Sequence, residues 1–297
     1  MHGKAASSPE RIRVRLDGIS RRYDPRVRAI RPDLADVSLA DFYFAPHYAA
    51  PVPRSCIVPS VMLRSAPHEG SGAVSELLMG EVFRMLDARG GWAWGYCGHD
   101  HYVGYVPLDT LGEPIEATHV TVGVAPLFSA ADIKSPILRM LPVGARLEGT
   151  TEGFFLAANG GFVHVRHLRT PETLETDWCT VAERALGVPY VWGGRGGLGL
   201  DCSGLVQTAL AACGIAAPRD TDQQAQEVGQ ALPDTAELRR GDIIFFPGHV
   251  GLMMDGERLI HANAHWMAVT IEPLADVIAR LSDQHEQPVT GRHRIST

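Results

Sequence analysis

The sequence predicts a multidomain chain, two small β-barrels followed by an α+β domain. Three observations lead there. At 297 residues the chain exceeds one minimal core and suits two or three small domains. A pattern of short alternating strands broken by glycine occurs twice, at about 55 residues per copy, ahead of a polar linker. Beyond the linker, helical patterns come first and strand patterns last, which is the order of an α+β domain.

Composition narrows the function classes. Charged residues make up 21% and apolar residues 45%, and the formal net charge is −7 with a pI near 6.0. That balance, with no basic stripe, excludes nucleic acid as an expected partner. No apolar run approaches the ~18 residues a membrane helix needs, so no membrane partner is expected. The polar start, Met1 to Pro9, leads into Arg11, Arg13 and Arg15 without the apolar segment of a signal peptide. A cytoplasmic location is expected. Cys56, Cys97, Cys179, Cys202 and Cys213 are odd in number and widely spaced, with no C-x-x-C pair, which fits a reducing compartment.

Residues 1–52 read as a packing arm punctuated by Pro25, Pro32, Pro46 and Pro51. A short helix is expected over 39–44, and the aromatic group Phe42, Tyr43, Phe44 and Tyr48 is expected to dock on a neighbour. The first barrel spans 53–113 and the second 114–170. Their aligned anchors are L-L-M-G-E (77–81) against M-L-P-V-G-A (140–145), and V-G-Y-V (103–106) against G-G-F-V (160–163). Each copy looks like a bacterial SH3-like domain; the alternative is one β-sandwich over both. In the last domain, 171–297, a helix capped by Thr176 or Asp177 closes at Leu186-Gly187. A second helix covers 205–213, and a third begins at Asp220-Thr221, either of which suits the cap. Strands follow at 243–246, 249–253, 258–262 and 268–271.

The chemistry centres on residues 190–205, Y-V-W-G-G-R-G-G-L-G-L-D-C-S-G-L. A glycine-rich loop runs straight into a helix, so Cys202 falls at its first turn, where unpaired N–H groups and the helix dipole favour a thiolate. The competing reading is a small buried hydrophobe. A cysteine nucleophile needs a base and a group to orient that base. His249, His261, His265, His285 and His293 are the candidates. His249 starts one strand and His261 ends the next. A three-residue loop, Met254-Asp255-Gly256 with Gly256 left-handed, would set the two histidines directly opposite on one face. In that register Cys202 is the nucleophile, His249 the base and His261 the orienting group, the order of papain-like cysteine peptidases with His in third place. A zinc site on His261 and His265 would need a helix where a strand end is read. No cofactor or metal is expected.

P-Y-V-W-G-G…D-C-S-G-L-V-Q, P-R-D-T-D-Q-Q, R-R-G-D-I-I-F-F-P…H-V-G-L and L-I-H-A together resemble the NlpC family of cell-wall cysteine peptidases. The likeness covers residues 174–297, and the SH3-like pair upstream is similar to its cytoplasmic γ-D-glutamyl-L-diamino acid endopeptidases. It implies a papain-like fold and hydrolysis of the bond between γ-D-Glu and diaminopimelate or lysine in recycled murein peptides bearing a free N-terminal L-Ala. It implies Cys202, His249 and His261 as the catalytic set, with Tyr190 helping to hold the oxyanion. Ser203 and Trp192 are expected beside the substrate, Asp220 on its amine, and Tyr102 or Tyr105 as an aromatic wall. The acidic partner expected in that wall falls at Ala73, which leaves Glu69, Glu76 and Glu81 as candidates; Asp222 stands where Ser is usual. Two other readings are a cell-wall binding module with a degenerate last domain, and an amidase or acyltransferase on the same fold. The intact Cys202, His249 and His261 argue against the first. The lack of a long apolar insertion argues against a lipid substrate.

Overall fold

In the computed structural model, which describes residues 23–296, a short arm precedes three units. The arm does not form the helix expected over 39–44. Asp36 instead accepts a hydrogen bond from Ser38 N at 2.8 Å and starts a 3₁₀ turn, Val37–Leu39. The chain then doubles back, so that His47–Ala49 pairs in parallel with Leu34–Asp36. Nor does the aromatic group dock. Phe42 and Phe44 are 65% and 89% exposed, and the Tyr48 hydroxyl is used locally, donating to Tyr43 O at 2.6 Å. What holds the arm is Ala29, packed with Leu86 and Trp94, and Arg31. The Arg31 guanidinium lies 4.5 Å above the Trp94 ring and 2.7 Å from Asp87.

The first unit is one sheet of seven strands, in the order Ala73–Leu78, Ser60–Arg64, Val103–Pro107, Trp92–Cys97, Val82–Arg89, Val52–Cys56 and Leu111–Gly112. The second unit repeats that order. Ile137–Leu141, Ala125–Phe128, Phe162–His164, Phe154–Ala157 and Gly149–Glu152 form one sheet; Arg146–Leu147, His119–Thr121 and Leu168–Arg169 form the next. The long strand Val82–Arg89 therefore corresponds to two pieces, 146–147 and 149–152. In each copy a 3₁₀ turn, Leu108–Thr110 or Val165–His167, precedes the last strand. The anchor glycines behave alike: Gly80 (φ 75°) and Gly144 (φ 82°) both take the left-handed turn that follows the third strand of their copy. Each copy has its own core, around Leu63, Leu77 and Phe83 in the first and Leu127, Leu141 and Phe155 in the second. One continuous β-sandwich is thereby excluded.

The last unit has helices α1 (Trp178–Glu183), α2 (Cys202–Ala212) and α3 (Thr221–Glu227), then an antiparallel sheet. Its strand order is Gln230–Ala231, Gly291–Arg294, Ile243–Phe246, His249–Met253, Arg258–Asn263 and Ala268–Pro273. Asp177 caps α1 by accepting from Cys179 N at 2.9 Å. Helix α4 (Leu274–Ser282) and the closing strand were not legible beforehand; α4 packs Leu274 and Val277 on the far face of the sheet, against Ile244, Met253 and Leu259. Helix α2 covers the other face with Leu205, Val206, Ala209 and Leu210.

Two buried arginines join the last unit to the first. Arg195 donates to both oxygens of Glu81, at 2.9 and 3.2 Å, while Glu76 accepts from Arg195 N at 2.7 Å and Gly197 N at 3.1 Å. Arg219, 1% exposed, reaches Ser75 Oγ at 3.2 Å. Burial pushes the Glu81 carboxyl up, but Arg195 outweighs it and holds the acid ionised. Glu81→Ala would strand a buried guanidinium, so it is expected to cost about 3–5 kcal/mol, read as a fall in the urea midpoint. A variant as stable as the parent would show that the pair does not hold the units together.

Candidate active site

Asp201 places Cys202. Its carboxylate accepts from Gly204 N at 2.7 Å, capping α2, and from Gly193 N at 2.9 Å, drawing the glycine loop against the helix. Arg219 binds the same carboxylate, with a 2.9 Å contact to Oδ1. Two glycines are sterically required. Gly193 sits at φ 81°, and a side chain at Gly204 would put Cβ 2.2 Å from the Gly194 carbonyl oxygen. Cys202 is thus the first residue of α2, where its N–H has no partner within the helix.

The thiol borders a cavity of about 610 Å³, walled by α2, by Trp192, by Ala73 and Tyr102 of the first unit, by Arg26 of the arm, and by Asp220. Thr221 Oγ1 lies 3.8 Å from its sulfur. Burial and the neighbouring Asp201 push the thiol pKa up, against the smaller effects of Thr221 and of the Val250 and Ser203 amides. This corrects the expectation of a thiolate: the helix terminus is there, but desolvation and the capping acid outweigh it. His249, next to Val250, is lowered to about 3, first by burial and then by His261. The resting pair is therefore neutral thiol and neutral imidazole. No hydrogen bond joins them; in free enzymes such bonds are often long and tighten with substrate.

His249 and His261 do meet, but in a register other than the expected one. Leu252 pairs with Ile260 and Met253 with Leu259. The loop is Asp255-Gly256-Glu257, with Gly256 not left-handed. Its cause is Asp255, whose Oδ1 accepts from Glu257 N at 2.9 Å and Arg258 N at 2.8 Å and holds an Asx turn one residue further along. Carried outward, that register sets His249 across from Asn263 and diagonal to His261. The shift is two residues in the pairing sum, so both rings keep one face, and His249 Nε2 lies 2.7 Å from His261 Nδ1. His261 is fully buried, and its Nε2 lies 2.7 Å from Glu272 Oε1. Glu272 also accepts from Arg280 at 2.8 and 3.2 Å and from Trp266 Nε1 at 3.3 Å. Neither Glu272 nor Arg280 was singled out in the sequence.

The remaining expected residues divide. Tyr190 is close enough to Cys202 and Asp201 for their charges to add to burial in raising its hydroxyl to about 12. Tyr102 donates to Asp220 Oδ2 at 2.8 Å, whereas Tyr105 stands on a central strand across from Trp94 and Arg64, away from the cavity. Trp192 is 68% exposed at the cavity rim. Ser203 borders the cavity, but its hydroxyl is committed, accepting from Arg219 at 2.8 Å. Asp220 stands at the N-cap position of α3 without making the capping bond. Its Oδ2 instead takes Tyr102 and, at 2.8 Å, Arg26. Arg26 also binds Asp24 and Asp222. None of the three acidic candidates reaches the cavity. Glu76 and Glu81 are turned inward on Arg195 and the 195–197 backbone, and Glu69 lies out by Arg64. Ala73 lines the cavity, as does Arg26 beside Asp220. Of the other histidines, His265 stacks on Trp266, His293 on Phe245, and His285 follows α4.

A neutral resting thiol has a measurable signature. Iodoacetamide labelling of Cys202, followed by mass spectrometry of its peptide, is expected to rise with pH without a plateau below about pH 9. A plateau starting at pH 4–5 would mean a preformed thiolate–imidazolium pair.

Residues 187–282 match the NlpC/P60 family, and residues 63–111 match the bacterial dipeptidyl-peptidase SH3 domain. Among curated proteins, 101 residues are 35% identical to the γ-D-glutamyl-L-lysine dipeptidyl-peptidase of Bacillus subtilis, covering 31% of this chain and 33% of that one. Over 128 residues the chain is 32% identical to the protein of the same name from Bacillus cereus, covering 40% and 38%. Over 106 residues the chain is 36% identical to the peptidoglycan endopeptidase RipB of Mycobacterium tuberculosis, covering 30% and 43%. The matches thus span between a third and somewhat under half of these relatives' lengths. The crystal structure of an NlpC/P60 family protein from Bacillus cereus superposes with a TM-score of 0.70 at 20% identity, over 82% of this chain and 99% of that one, a likeness of fold. The chain carries an NlpC/P60 domain behind a bacterial dipeptidyl-peptidase SH3 domain.

Proposed function

We propose that this protein is a cysteine peptidase hydrolysing the bond between γ-D-Glu and a diamino acid, diaminopimelate or lysine, in murein peptides with a free N-terminal L-Ala. We place it in the cytoplasm, in recycling of such peptides. The observation that carries the reading is the cavity: a helix-start cysteine on one side, and an Asp220 carboxylate held by Tyr102 and Arg26 on the other. The matched relatives named γ-D-glutamyl-L-lysine dipeptidyl-peptidase support it. On this reading the second β unit is a second SH3-like barrel and the last a papain-like domain, with boundaries at 53–113, 114–170 and 171–297.

The chemistry follows the residues. Cys202 sulfur attacks the γ-carbonyl carbon while its proton passes to His249. The Cys202 N–H and the Tyr190 hydroxyl hold the oxyanion. Collapse expels the diamino acid's amine, which takes the proton back from His249. Water, deprotonated by His249, then hydrolyses the thioester and releases L-Ala-γ-D-Glu, and the departing Cys202 sulfur takes that proton back from His249. Among the described residues Asp220 Oδ1 makes no hydrogen bond, leaving it to accept from the substrate's ammonium. An acylated nitrogen would leave Oδ1 without that partner.

Incubation with L-Ala-γ-D-Glu-meso-diaminopimelate and with its N-acetylated analogue tests this. The free peptide is expected to be cleaved at least ~10²-fold faster, the discrimination of a site built around a hydrogen-bonding group. Cleavage of neither, or of both equally, would overturn the substrate reading, and cleavage by Cys202→Ala would overturn the mechanism. Arg26→Ala opens the cavity wall beside Asp220, so the N-acetylated peptide is expected to gain on the free one about tenfold, a difference of about 1.4 kcal/mol. An unchanged ratio would mean that Arg26 does not shape this end of the cavity.

A further inference from the structure

The His249–His261 pair continues into a chain of hydrogen bonds that ends on a carboxylate held by an arginine. We propose that Glu272, clamped by Arg280, is a positioning residue that sets the tautomers of both histidines and so leaves His249 Nδ1, the nitrogen not bonded to His261, bare to take the Cys202 proton. This rests on the reading of Cys202 as nucleophile and His249 as base.

Glu272 is acceptor-only when ionised. Burial pushes its carboxyl up, but hydrogen bonds from Arg280, His261 and Trp266 outweigh that and hold it below the ordinary glutamate range. At neutral pH, then, the proton in the 2.7 Å contact with His261 belongs to His261 Nε2. His261 is fully buried and its pKa is lowered, by burial first, against the raising effect of Glu272; it is neutral and carries that one proton. Its Nδ1 is therefore an acceptor. The 2.7 Å contact between His261 Nδ1 and His249 Nε2 then requires the proton on His249 Nε2. A neutral His249 has no second proton, so its Nδ1 is bare. One carboxylate thus decides, two rings away, which nitrogen of the base is free.

Without Glu272, His261 has no reason to keep its proton on Nε2. The opposite tautomer would donate from Nδ1 to His249 Nε2, move the His249 proton to Nδ1 and point an N–H at the thiol, which takes no proton. Arg280 has two tasks. Its two contacts, at 2.8 and 3.2 Å, fix the carboxylate plane, and its charge keeps Glu272 ionised. Glu272 also favours the imidazolium that forms on His249 when it takes the thiol proton, while Arg280 opposes it. Their separate removal should therefore differ.

The tautomers are read directly by ¹⁵N–¹H correlation spectra of the histidine side chains in the free protein, with no substrate present. His249 is expected as the Nε2–H form in the parent protein. In Glu272→Ala it is expected as a mixture with the Nδ1–H form, together with a fall of roughly 10²-fold in iodoacetamide labelling of Cys202 at pH 7 and an altered pH profile; a wrong-tautomer base elsewhere costs up to ~10⁴ in kcat. Glu272→Gln, which keeps the shape and one acceptor oxygen while losing the charge, guards against a folding defect and is expected to fall between the two. If His249 remains wholly Nε2–H and labelling is unchanged in a folded Glu272→Ala or Glu272→Gln protein, the proposal is wrong. That outcome is distinct from failure to cleave murein peptides, which would overturn the substrate reading and leave the tautomer result standing.

Discussion

The structure depends on the buried ion pair between Asp201 and Arg219. One carboxylate caps α2, holds the glycine loop and neutralises a guanidinium that is 1% exposed. Arg219 in turn reaches the Ser203 hydroxyl and Ser75 of the first β unit. The position of Cys202, the loop that carries Tyr190 and Trp192, and the seam with the neighbouring unit therefore share one charge pair. Buried pairs of this kind are weak sources of net stability but costly to break on one side, which suits a part that fixes geometry. The same acid also raises the Cys202 thiol, so accurate placement is obtained at the cost of a thiolate at rest.

Much of the fold was legible because it rests on local rules. The strands Ile243–Phe246 and His249–Met253 fall where their apolar runs and turn signals put them, and Asp177 caps α1 as its residue type suggests. The repeat was legible through two glycines, Gly80 and Gly144, that share a left-handed turn. The misses have physical causes. The loop after Met254 was decided by the Asp255 side chain rather than by glycine. The aromatic cluster of the arm stayed exposed because Ala29 and Arg31 make the contact instead.

The candidate site was half legible. Cys202, His249 and His261 carry a spacing and an order that the sequence exposes. Tyr102 and Asp220 do meet, although nothing in their spacing of over a hundred residues says so. Glu272, Arg280 and Arg26 had no local signal: each matters through a long-range contact that only the folded chain creates. Arg26 is instructive, since it reaches the cavity from the N-terminal arm and binds Asp220 there, while none of the acidic candidates of the first barrel does.

On the proposed function, Cys202 attacks the γ-D-glutamyl carbonyl and retains the amine-terminal half of the peptide. Acid quenching of a reaction with L-Ala-γ-D-Glu-meso-diaminopimelate, followed by mass spectrometry of the digested protein, tests that most directly. An L-Ala-γ-D-Glu acyl group is expected in thioester linkage to the peptide containing Cys202. An adduct on any other residue, or one carrying the diamino acid half, would contradict it.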